Sequence, residues 1–234
     1  MAQFQDDNAP RRTRDPVNQP NITFQETRGS MSLGLLKSRE WIEDPRRFMF
    51  SLSRYKFVAK LLSGRKSVLE VGCGDAFNAP VILQEVGSLT VTDFDEEFIK
   101  DAQSRVTPEW PYTALVHNFL DAPLKQNFDA IYSLDVLEHI DARDEDRFLS
   151  NICSCLDETG AMIIGMPSLE SQTYASEGSK IGHINCKTSP DLKALMQKYF
   201  HTVFMFAMND EVIHTGYHKM AHYIIAVCAQ KKAV

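Results

Sequence analysis

The chain has 234 residues, of which 44% are hydrophobic and 24% charged, and its acidic residues exceed its basic ones to give a net charge of −6. This composition is typical of one well-packed globular domain with short additions. It argues against a large nucleic-acid interface, and no apolar run is as long as a membrane span. The five cysteines match no disulfide framework. We therefore expect a cytoplasmic protein without nucleic-acid or membrane partners.

The first 64 residues divide into two parts. Residues 1–28 are rich in Pro, Asn, Gln, Asp and Arg without periodicity, which predicts a flexible tail. Over residues 29–64 apolar side chains recur at helical spacing, with a break at Asp44-Pro45, where proline suits a first helical position. This pattern predicts an N-terminal helical cap. Its Arg54 either pairs with a ligand carboxylate or belongs to a solvated charged face.

From residue 65 to 234 strand-like and helix-like patterns alternate. Candidate strands are 67–71, 89–93, 113–118, 128–134, 161–166, 203–208 and 223–229, and helical patterns cover 78–86, 95–105, 143–156 and 190–199. The alternation predicts an α/β fold, a doubly wound and mainly parallel sheet with helices on both faces. No helix separates the last two strands, so we expect them to be antiparallel. Ligands gather at the carboxyl edge of such a sheet.

A glycine turn follows the first strand, in the sequence Glu70-Val71-Gly72-Cys73-Gly74. The glycines allow a sharp turn and expose main chain to a ligand, and Asp93 ends the second strand where a carboxylate can hold a ribose. Phe77 stands at the third glycine position of the dinucleotide fingerprint and leaves less room for a pyrophosphate. Glu70 and Asp75 suit a ligand with a positive end.

This stretch resembles motif I of the class I S-adenosylmethionine-dependent methyltransferases, and the resemblance extends over about residues 66–200. It implies seven strands in the order 3-2-1-4-5-7-6 with strand 7 antiparallel. Segments 117–124 and 128–140 resemble the adenine segment and motif IV of this family. The implied cofactor is S-adenosylmethionine, with S-adenosylhomocysteine as product. The residues that the resemblance places around it are Glu70, Gly72, Cys73, Gly74, Asp93, Phe94, Asn118, Phe119, Ser133, Leu134 and Asp135.

Methyl transfer from a sulfonium is an in-line displacement, so a hydroxyl acceptor also needs a group that takes or polarises its proton. Three histidines are candidates: His139 in motif IV, His183 after the fifth strand and His214 before the last strand. His183 lies in the segment 168–187, which is long, shows no clear pattern and starts at the ligand edge. Such segments are often lids, and we interpret this one so.

A metal site is a less favoured alternative. Asp135, Glu138 and His139 have i, i+3, i+4 spacing, so one helical turn would put them on one face. Some relatives use such a turn and a later histidine, here His183, to hold a divalent metal. Other relatives carry Leu-Glu-His without metal, with the carboxylates capping the helix and contacting the cofactor. We therefore expect no metal.

These patterns predict a methyltransferase that acts on a small polar molecule at oxygen. Bacterial relatives of similar appearance modify sugars or glycan precursors, which favours a sugar hydroxyl as the acceptor. N-methylation of an amine metabolite and a non-catalytic adenosyl-binding module are the alternatives. An NAD-dependent enzyme is disfavoured by Phe77. The only partners expected are the small-molecule substrate and, as an option, a second copy in a homodimer.

Overall fold

A computed structural model of the chain describes residues 11–233. The chain divides into two units, residues 1–32 and 33–234. In the first unit, the Asp15 carboxylate caps a short 3-10 helix (Pro16–Asn18), and α1 follows at Gln19–Arg28. The polar composition did not predict this helix within the expected tail. The first ten residues of that tail lie outside the described residues.

The second unit begins with α2 (Leu35–Glu43) and α3 (Pro45–Leu61). The Asp44 carboxylate accepts a hydrogen bond from the main-chain nitrogen of Arg46 and caps α3, with Pro45 in the first turn. The predicted break at Asp44-Pro45 is thus the junction between two helices. The buried face of α3 includes Tyr55 and Val58.

Within residues 11–233, eight strands form one sheet of order β3-β2-β1-β4-β5-β8-β6-β7. They are β1 (Val68–Val71), β2 (Leu89–Asp93), β3 (Thr113–Val116), β4 (Phe128–Leu134), β5 (Leu156–Pro167), β6 (Phe200–Asn209), β7 (Val212–His214) and β8 (Tyr223–Lys231). The first five are parallel, and β8 runs antiparallel to its neighbours β5 and β6. The predicted fold class is confirmed. The eighth strand is β7, which pairs with β6 across a tight turn at Asp210, whose φ is +48°.

Helices cover both faces of this sheet. They are α3, α4 (Ala79–Leu83), α5 (Glu96–Ser104), α6 (Glu145–Ser154) and α8 (Ser189–Met196). A further helix, α7 (Glu177–Gly182), lies in the segment after β5 and has no buried residue. Alternate residues of a strand point to opposite faces, so Val68 joins the apolar cluster under α3, α4 and α5, whereas Leu69 joins the cluster under α6 and α8. With both faces buried, the carboxyl edge is left open for ligands. No helix within the described range has the length and apolar character needed to cross a bilayer.

The segment 168–187 is structured, although its sequence shows no clear pattern. It contains a 3-10 helix (Glu170–Tyr174) and α7, and the side chain of Ser176 caps α7. The main-chain nitrogen of Leu169 donates to the carbonyl oxygen of Lys187 at 2.8 Å, which joins the two ends of the segment. It is therefore a closed loop placed at the carboxyl edge.

Candidate active site

A cavity of about 680 Å³ opens at the carboxyl ends of β1, β2, β3 and β4. This is the edge where the sequence predicted a ligand, and the volume suits a small molecule or cofactor. Its walls come from the loops after these four strands and from α2 and α3. The residues that line it include Leu36, Lys37, Glu40, Ser51, Gly72, Cys73, Gly74, Asn78, Asp93, Phe94, His117, Asn118, Phe119, Leu134, Asp135, Val136 and His139.

The glycine turn lines the cavity with main chain. Gly72 and Gly74 have φ of +76° and +52°, in the left-handed region that favours glycine. A Cβ atom on Gly72 would lie 2.2 Å from Val136 Cγ2, so there is no space for a side chain. The main-chain nitrogens of Gly72 and Cys73 donate to the Thr92 carbonyl at 2.8 and 2.9 Å, which fastens the turn to β2.

Asp93 joins the end of β2 to this turn. One of its carboxylate oxygens accepts from the Gly74 nitrogen and the other from the Asp95 nitrogen, both at 2.9 Å. A carboxylate accepts about four hydrogen bonds, so further lone pairs remain for the hydroxyls of a ribose in the cavity.

Glu70 lies beneath the turn, does not line the cavity and is 1% exposed. The hydroxyls of Tyr55 and Tyr132 donate to its two oxygens, the latter at 2.8 Å. Burial raises the pKa of Glu70 to about 7, although these two hydrogen bonds act in the opposite direction. Glu70 therefore supports the turn from below, through its contacts with α3 and β4.

Aromatic side chains flank the far end of the cavity. Phe94 is exposed and Phe119 is buried, and both line the wall. Asn118 uses its side-chain oxygen locally, accepting from the Leu120 nitrogen at 3.0 Å. The ring of His117 is 2.9 Å from the Ala122 carbonyl oxygen and packs edge-on against Phe119. Two aromatic walls beside a polar turn suit a flat heteroaromatic ring such as adenine.

The three residues predicted at the end of β4 have different roles. Ser133 is buried, does not line the cavity, and donates to the Val71 carbonyl at 2.9 Å, which joins β4 to β1. Leu134 and Asp135 do line the cavity. The carboxylate of Asp135, a residue with φ of +58°, receives both of its hydrogen bonds at 2.6 and 2.9 Å from Arg54. Arg54, which the sequence suggested for a ligand carboxylate, is thus paired within the protein.

After β4 the chain forms a short 3-10 helix (Leu137–His139), so the single helical face expected for Asp135, Glu138 and His139 does not form. Instead, Glu138, His139 and His183 come together, with one potential ligand atom from each within 4.8 Å of the others. Glu138 is fully buried, and neither carboxylate oxygen has a hydrogen-bond partner among residues 11–233. Burial, and next the nearby Asp135, raise the pKa of Glu138 well above its ordinary value.

Hydrogen bonds define the tautomers of both imidazoles. His139 Nδ1 is 2.8 Å from the Gly182 carbonyl oxygen, which can only accept, so Nδ1 carries a proton and, in the neutral ring, Nε2 has the lone pair. His183 Nδ1 is 3.0 Å from Gln172 Oε1, and the Gln172 amide nitrogen donates to Ser168. His183 is therefore in the same form. Burial first, and then His139, lower the pKa of His183, which favours the neutral ring.

The segment 168–187 reaches this cluster directly. A Cβ atom on Gly182 would lie 3.3 Å from the His139 ring, and the rings of His139 and His183 are 5.3 Å apart. The main-chain nitrogen of Asn185 donates to the Glu138 carbonyl at 2.9 Å. The segment thus packs against the end of the cavity that His139 lines, as a lid would.

His214 lies elsewhere, on β7, and does not line the cavity. Its Nε2 is 2.7 Å from Asn209 Oδ1, and its Nδ1 accepts from the Gly216 nitrogen at 2.9 Å. Both ring nitrogens are thus occupied in the local hairpin. His218 belongs to a 3-10 helix and His222 lies just before β8, so the i, i+4, i+8 series does not form a helical face.

Sequence reasoning missed a polar group from the helical cap. The buried Lys37 ammonium donates to Glu40 at 2.6 Å and to the Ser51 hydroxyl at 2.9 Å, and the Asn78 amide donates to the same hydroxyl at 2.7 Å. All four side chains line the cavity. The sequence signal was weak, because it consists only of a lysine directly after Leu35-Leu36 in the helical pattern.

The helical cap is attached to the glycine turn by a carboxylate. Asp75 Oδ2 accepts from the main-chain nitrogens of Leu36 and Lys37 at 2.8 and 3.0 Å, and so caps the start of α2. Leu36 packs against Gly74, where a Cβ atom would lie 2.5 Å from its side chain. α2 therefore forms one wall of the cavity.

Known proteins that are similar to this chain are methyltransferases. Residues 68–160 match the methyltransferase domain family. A protein of Mycobacterium tuberculosis, described as a probable S-adenosylmethionine-dependent methyltransferase, is 26% identical over 120 residues. That match covers 49% of this chain and 42% of the relative, so it spans less than half the length of the curated protein.

Two solved structures show the same fold. The N-methyltransferase NodS of Bradyrhizobium japonicum, in complex with S-adenosyl-L-homocysteine, has a TM-score of 0.58 at 16% identity over 81% of this chain and 90% of that one. The plantazolicin methyltransferase BpumL, also in complex with S-adenosyl-L-homocysteine, has a TM-score of 0.61 at 14% identity over 92% and 99%.

Proposed function

Since this chain belongs to the class I S-adenosylmethionine-dependent methyltransferases, we propose that it transfers the methyl group of that cofactor to a hydroxyl group of a small polar acceptor. The cavity supports this proposal with a place for each part of the cofactor. Phe94 and Phe119 would flank the adenine, Asp93 would hold the ribose, and Leu134 and Asp135 would lie beside the methionine part; all five residues line the cavity.

The hydrogen bond between His139 Nδ1 and the Gly182 carbonyl is the observation that favours oxygen as the acceptor atom. A hydroxyl must lose its proton as it attacks, and a neutral His139, which lines the cavity, can accept a proton on Nε2 because Nδ1 donates to Gly182. When bound, the cofactor would supply an electrophilic methyl group, whose carbon–sulfur bond would break as the acceptor oxygen attacks, with a neutral thioether as the leaving group. His139 would take the hydroxyl proton on Nε2. The ring of His183 lies beside it, with the two ring centroids 5.3 Å apart, and its lowered pKa favours the neutral form.

The same cluster fits a divalent cation. One nitrogen from each of two imidazoles and a buried carboxylate without hydrogen-bond partners in the described part of the chain are a donor set for such an ion. Gly182 and Gln172 orient the rings, as outer partners of metal ligands do. A bound cation would lower the pKa of the acceptor hydroxyl. Asp135, the fourth residue of the set considered from sequence, is paired with Arg54 instead.

A sugar hydroxyl is the acceptor that the family resemblance favours. An amine is the second candidate, because the similar NodS is described as an N-methyltransferase. The two differ in their need for a base, since a neutral amine attacks without prior loss of a proton. A binding module without catalysis is the third possibility.

A screen with a labelled methyl donor tests these alternatives. We expect label in hydroxyl acceptors, and we expect His139→Asn to lower kcat by about 10²- to 10⁴-fold, as for loss of a general base. The affinity for S-adenosylhomocysteine, measured by calorimetry, should stay within a few-fold of the wild type. His201→Asn, an exposed histidine on β6, is the matched control and should leave kcat unchanged.

Three results would contradict the proposal in different ways. Label only in amines, with kcat unaffected by His139→Asn, would show N-methylation. Cofactor binding without transfer to any acceptor would show a binding module. Binding of NAD without binding of S-adenosylhomocysteine would exclude the methyltransferase function. Addition of EDTA to the wild type separates the two roles of the cluster, because only the cation role is sensitive to chelation.

A further inference from the structure

The polar group that the helical cap brings to the cavity has no part in the proposed reaction. We call it the cap cluster, and its members are Lys37, Glu40, Ser51 and Asn78, all of which line the cavity. Lys37 and Asn78 are exposed by only 8 and 2%. Removing an ammonium ion from water is costly unless the ion is paired, and Glu40 provides that pairing at 2.6 Å.

The members of the cap cluster have hydrogen-bonding capacity left over. Within residues 11–233 the Lys37 ammonium uses two of its three donors, on Glu40 and Ser51. The Ser51 oxygen accepts from Lys37 and from Asn78, so its own proton is left to donate. Asn78 Oδ1 is buried and has no hydrogen-bond partner in the same range. Buried polar atoms are nearly always paired, so this oxygen indicates a partner that enters the cavity.

The charges of the cap cluster define what that partner is. The remaining donors, on Lys37 and Ser51, suit an anion, whereas Asn78 Oδ1 and the Glu40 carboxylate suit a cation. The charges of Lys37 and Glu40 cancel, so a group that carries both signs is matched, and a simple anion or cation would leave half of the cluster unused. The amino-acid end of S-adenosylmethionine is such a group, with an ammonium and a carboxylate on one carbon.

The position of the cap cluster beside the glycine turn fits this partner. Asn78 follows the turn along the chain, and Leu36, the neighbour of Lys37, packs against Gly74. Asp93, where the ribose would lie, is bonded to the Gly74 nitrogen at 2.9 Å. From the ribose, the methionine part of the cofactor would extend across the turn and reach the cluster.

Arg54 does not compete with Lys37 for this role. Its guanidinium is bonded to Asp135 and lies 3.8 Å from the centroid of the Tyr223 ring, and it does not line the cavity. Among the residues that the structure describes, Lys37 is the only lysine or arginine in the cavity wall. The cation that the sequence suggested at Arg54 is therefore supplied by the preceding helix.

We infer that the cap cluster is the subsite for the amino-acid end of the cofactor. Lys37 and Ser51 bind its carboxylate. Glu40 and Asn78 bind its ammonium group. The inference rests on the cofactor of the family and not on the acceptor, so it applies to methylation at oxygen and at nitrogen alike.

Three ligands that differ only at this end test the inference. They are S-adenosylhomocysteine, the aminopropyl thioether of 5′-deoxyadenosine, which lacks the carboxylate, and the corresponding carboxypropyl thioether, which lacks the ammonium group. Each is titrated by calorimetry into the protein. Lys37→Met should weaken S-adenosylhomocysteine and the carboxypropyl compound by about 10- to 100-fold, as for a lost hydrogen bond to a charged group. The aminopropyl compound should bind as it does to the wild type.

Asn78→Ala should give the opposite pattern. We expect S-adenosylhomocysteine and the aminopropyl compound to lose about tenfold in affinity and the carboxypropyl compound to lose none. The Asn78 side chain makes no capping hydrogen bond to α4, so its removal does not uncap that helix. Lys60→Met is the matched control, because Lys60 pairs with Glu85 and neither residue lines the cavity. It should leave all three affinities unchanged.

Equal losses for the three ligands in either variant, or no loss in both, would overturn the inference. So would unchanged ligand affinities together with a raised KM for the acceptor, which would make the cap cluster part of the acceptor site. Because Lys37 is buried, Lys37→Met could be too unstable to purify, and the Asn78→Ala pattern then decides. Failure of the proposed function is distinguishable, since a protein that methylates only amines would still show the crossed pattern of losses.

Discussion

At one end of the cavity the main chain builds the site, and at the other end side chains from distant segments do. Around Gly72, Gly74 and Asp93, hydrogen bonds close within a few residues of β1 and β2, and the carboxylate is already held by two amides. Around Glu138 and His139, a carboxylate has no partner among the described residues and an imidazole nitrogen keeps its lone pair. The hydrogen bonds around Asp93 are already made, which suits the binding of one fixed ligand. The unpaired polar atoms around Glu138 and His139 suit a reaction in which a proton is taken up or released.

Removal of the Asp93 carboxylate is expected to have the largest effect at the end of the cavity formed by Gly72, Gly74 and Asp93. Asp93→Ala deletes two charge-assisted hydrogen bonds to the turn and the contacts to a ribose, so we expect the affinity for S-adenosylhomocysteine to fall by about 100-fold or more. Calorimetry measures the change. Asp95→Ala is the control, because Asp95 only caps α5 and should cost about 1 kcal/mol of stability with little effect on affinity. Equal affinities for wild type and Asp93→Ala would disprove the role of Asp93.

A pair of glycine substitutions measures how tightly that end is packed. Gly64 and Gly72 have similar φ values, +83° and +76°, but a Cβ atom on Gly64 meets nothing within 4 Å. Gly64→Ala therefore reports the backbone strain alone, about 1 kcal/mol. Gly72→Ala adds the overlap with Val136 and should cost roughly 1–3 kcal/mol more. Urea unfolding gives both values, and equal losses would mean that Val136 moves aside freely.

The pH dependence of stability tests the support beneath the turn. The folded pKa of Glu70 is about 7 against an ordinary 4.5, so the folded state retains this proton to a higher pH than the unfolded chain. Its contribution to stability is complete below pH 4.5 and is lost as the pH rises through 7. Without cofactor, Tm should fall by a few degrees more in the wild type than in Glu70→Gln over this range. Parallel Tm profiles would show that Glu70 is charged in the folded protein.

Local features were the ones that sequence could predict. The strand, the turn at Gly72 and Gly74, and Asp93 at the end of β2 depend on alternation and turn chemistry over short spans, and they lie where the pattern indicated. The order of the strands followed from the family resemblance. The antiparallel last strand followed from the missing helix before it, although the three residues of β7 were too short a pattern to recognise.

Features that depend on side-chain direction or on distant partners were not predictable. Ser133 and Leu134 are neighbours, yet only Leu134 faces the cavity, because Ser133 turns its hydroxyl to β1. Arg54 pairs with Asp135, which lies 81 residues later in the chain, and no sequence periodicity predicts that pairing.

His214 lies in a polar loop region, as expected, but both of its ring nitrogens form hydrogen bonds, with Asn209 and Gly216. The prediction that His139 and His183 lie close together came from the family resemblance and not from their spacing in the sequence.

The carboxylate of Asp75 has a consequence for the opening of the cavity. It follows the glycine turn directly, and it also holds the first turn of α2 through two amide hydrogens. Any opening of the cavity that moves the first turn of α2 away from the glycine turn must break both hydrogen bonds. The energy needed to open this wall therefore depends on residues of α2 that lie outside the glycine turn itself.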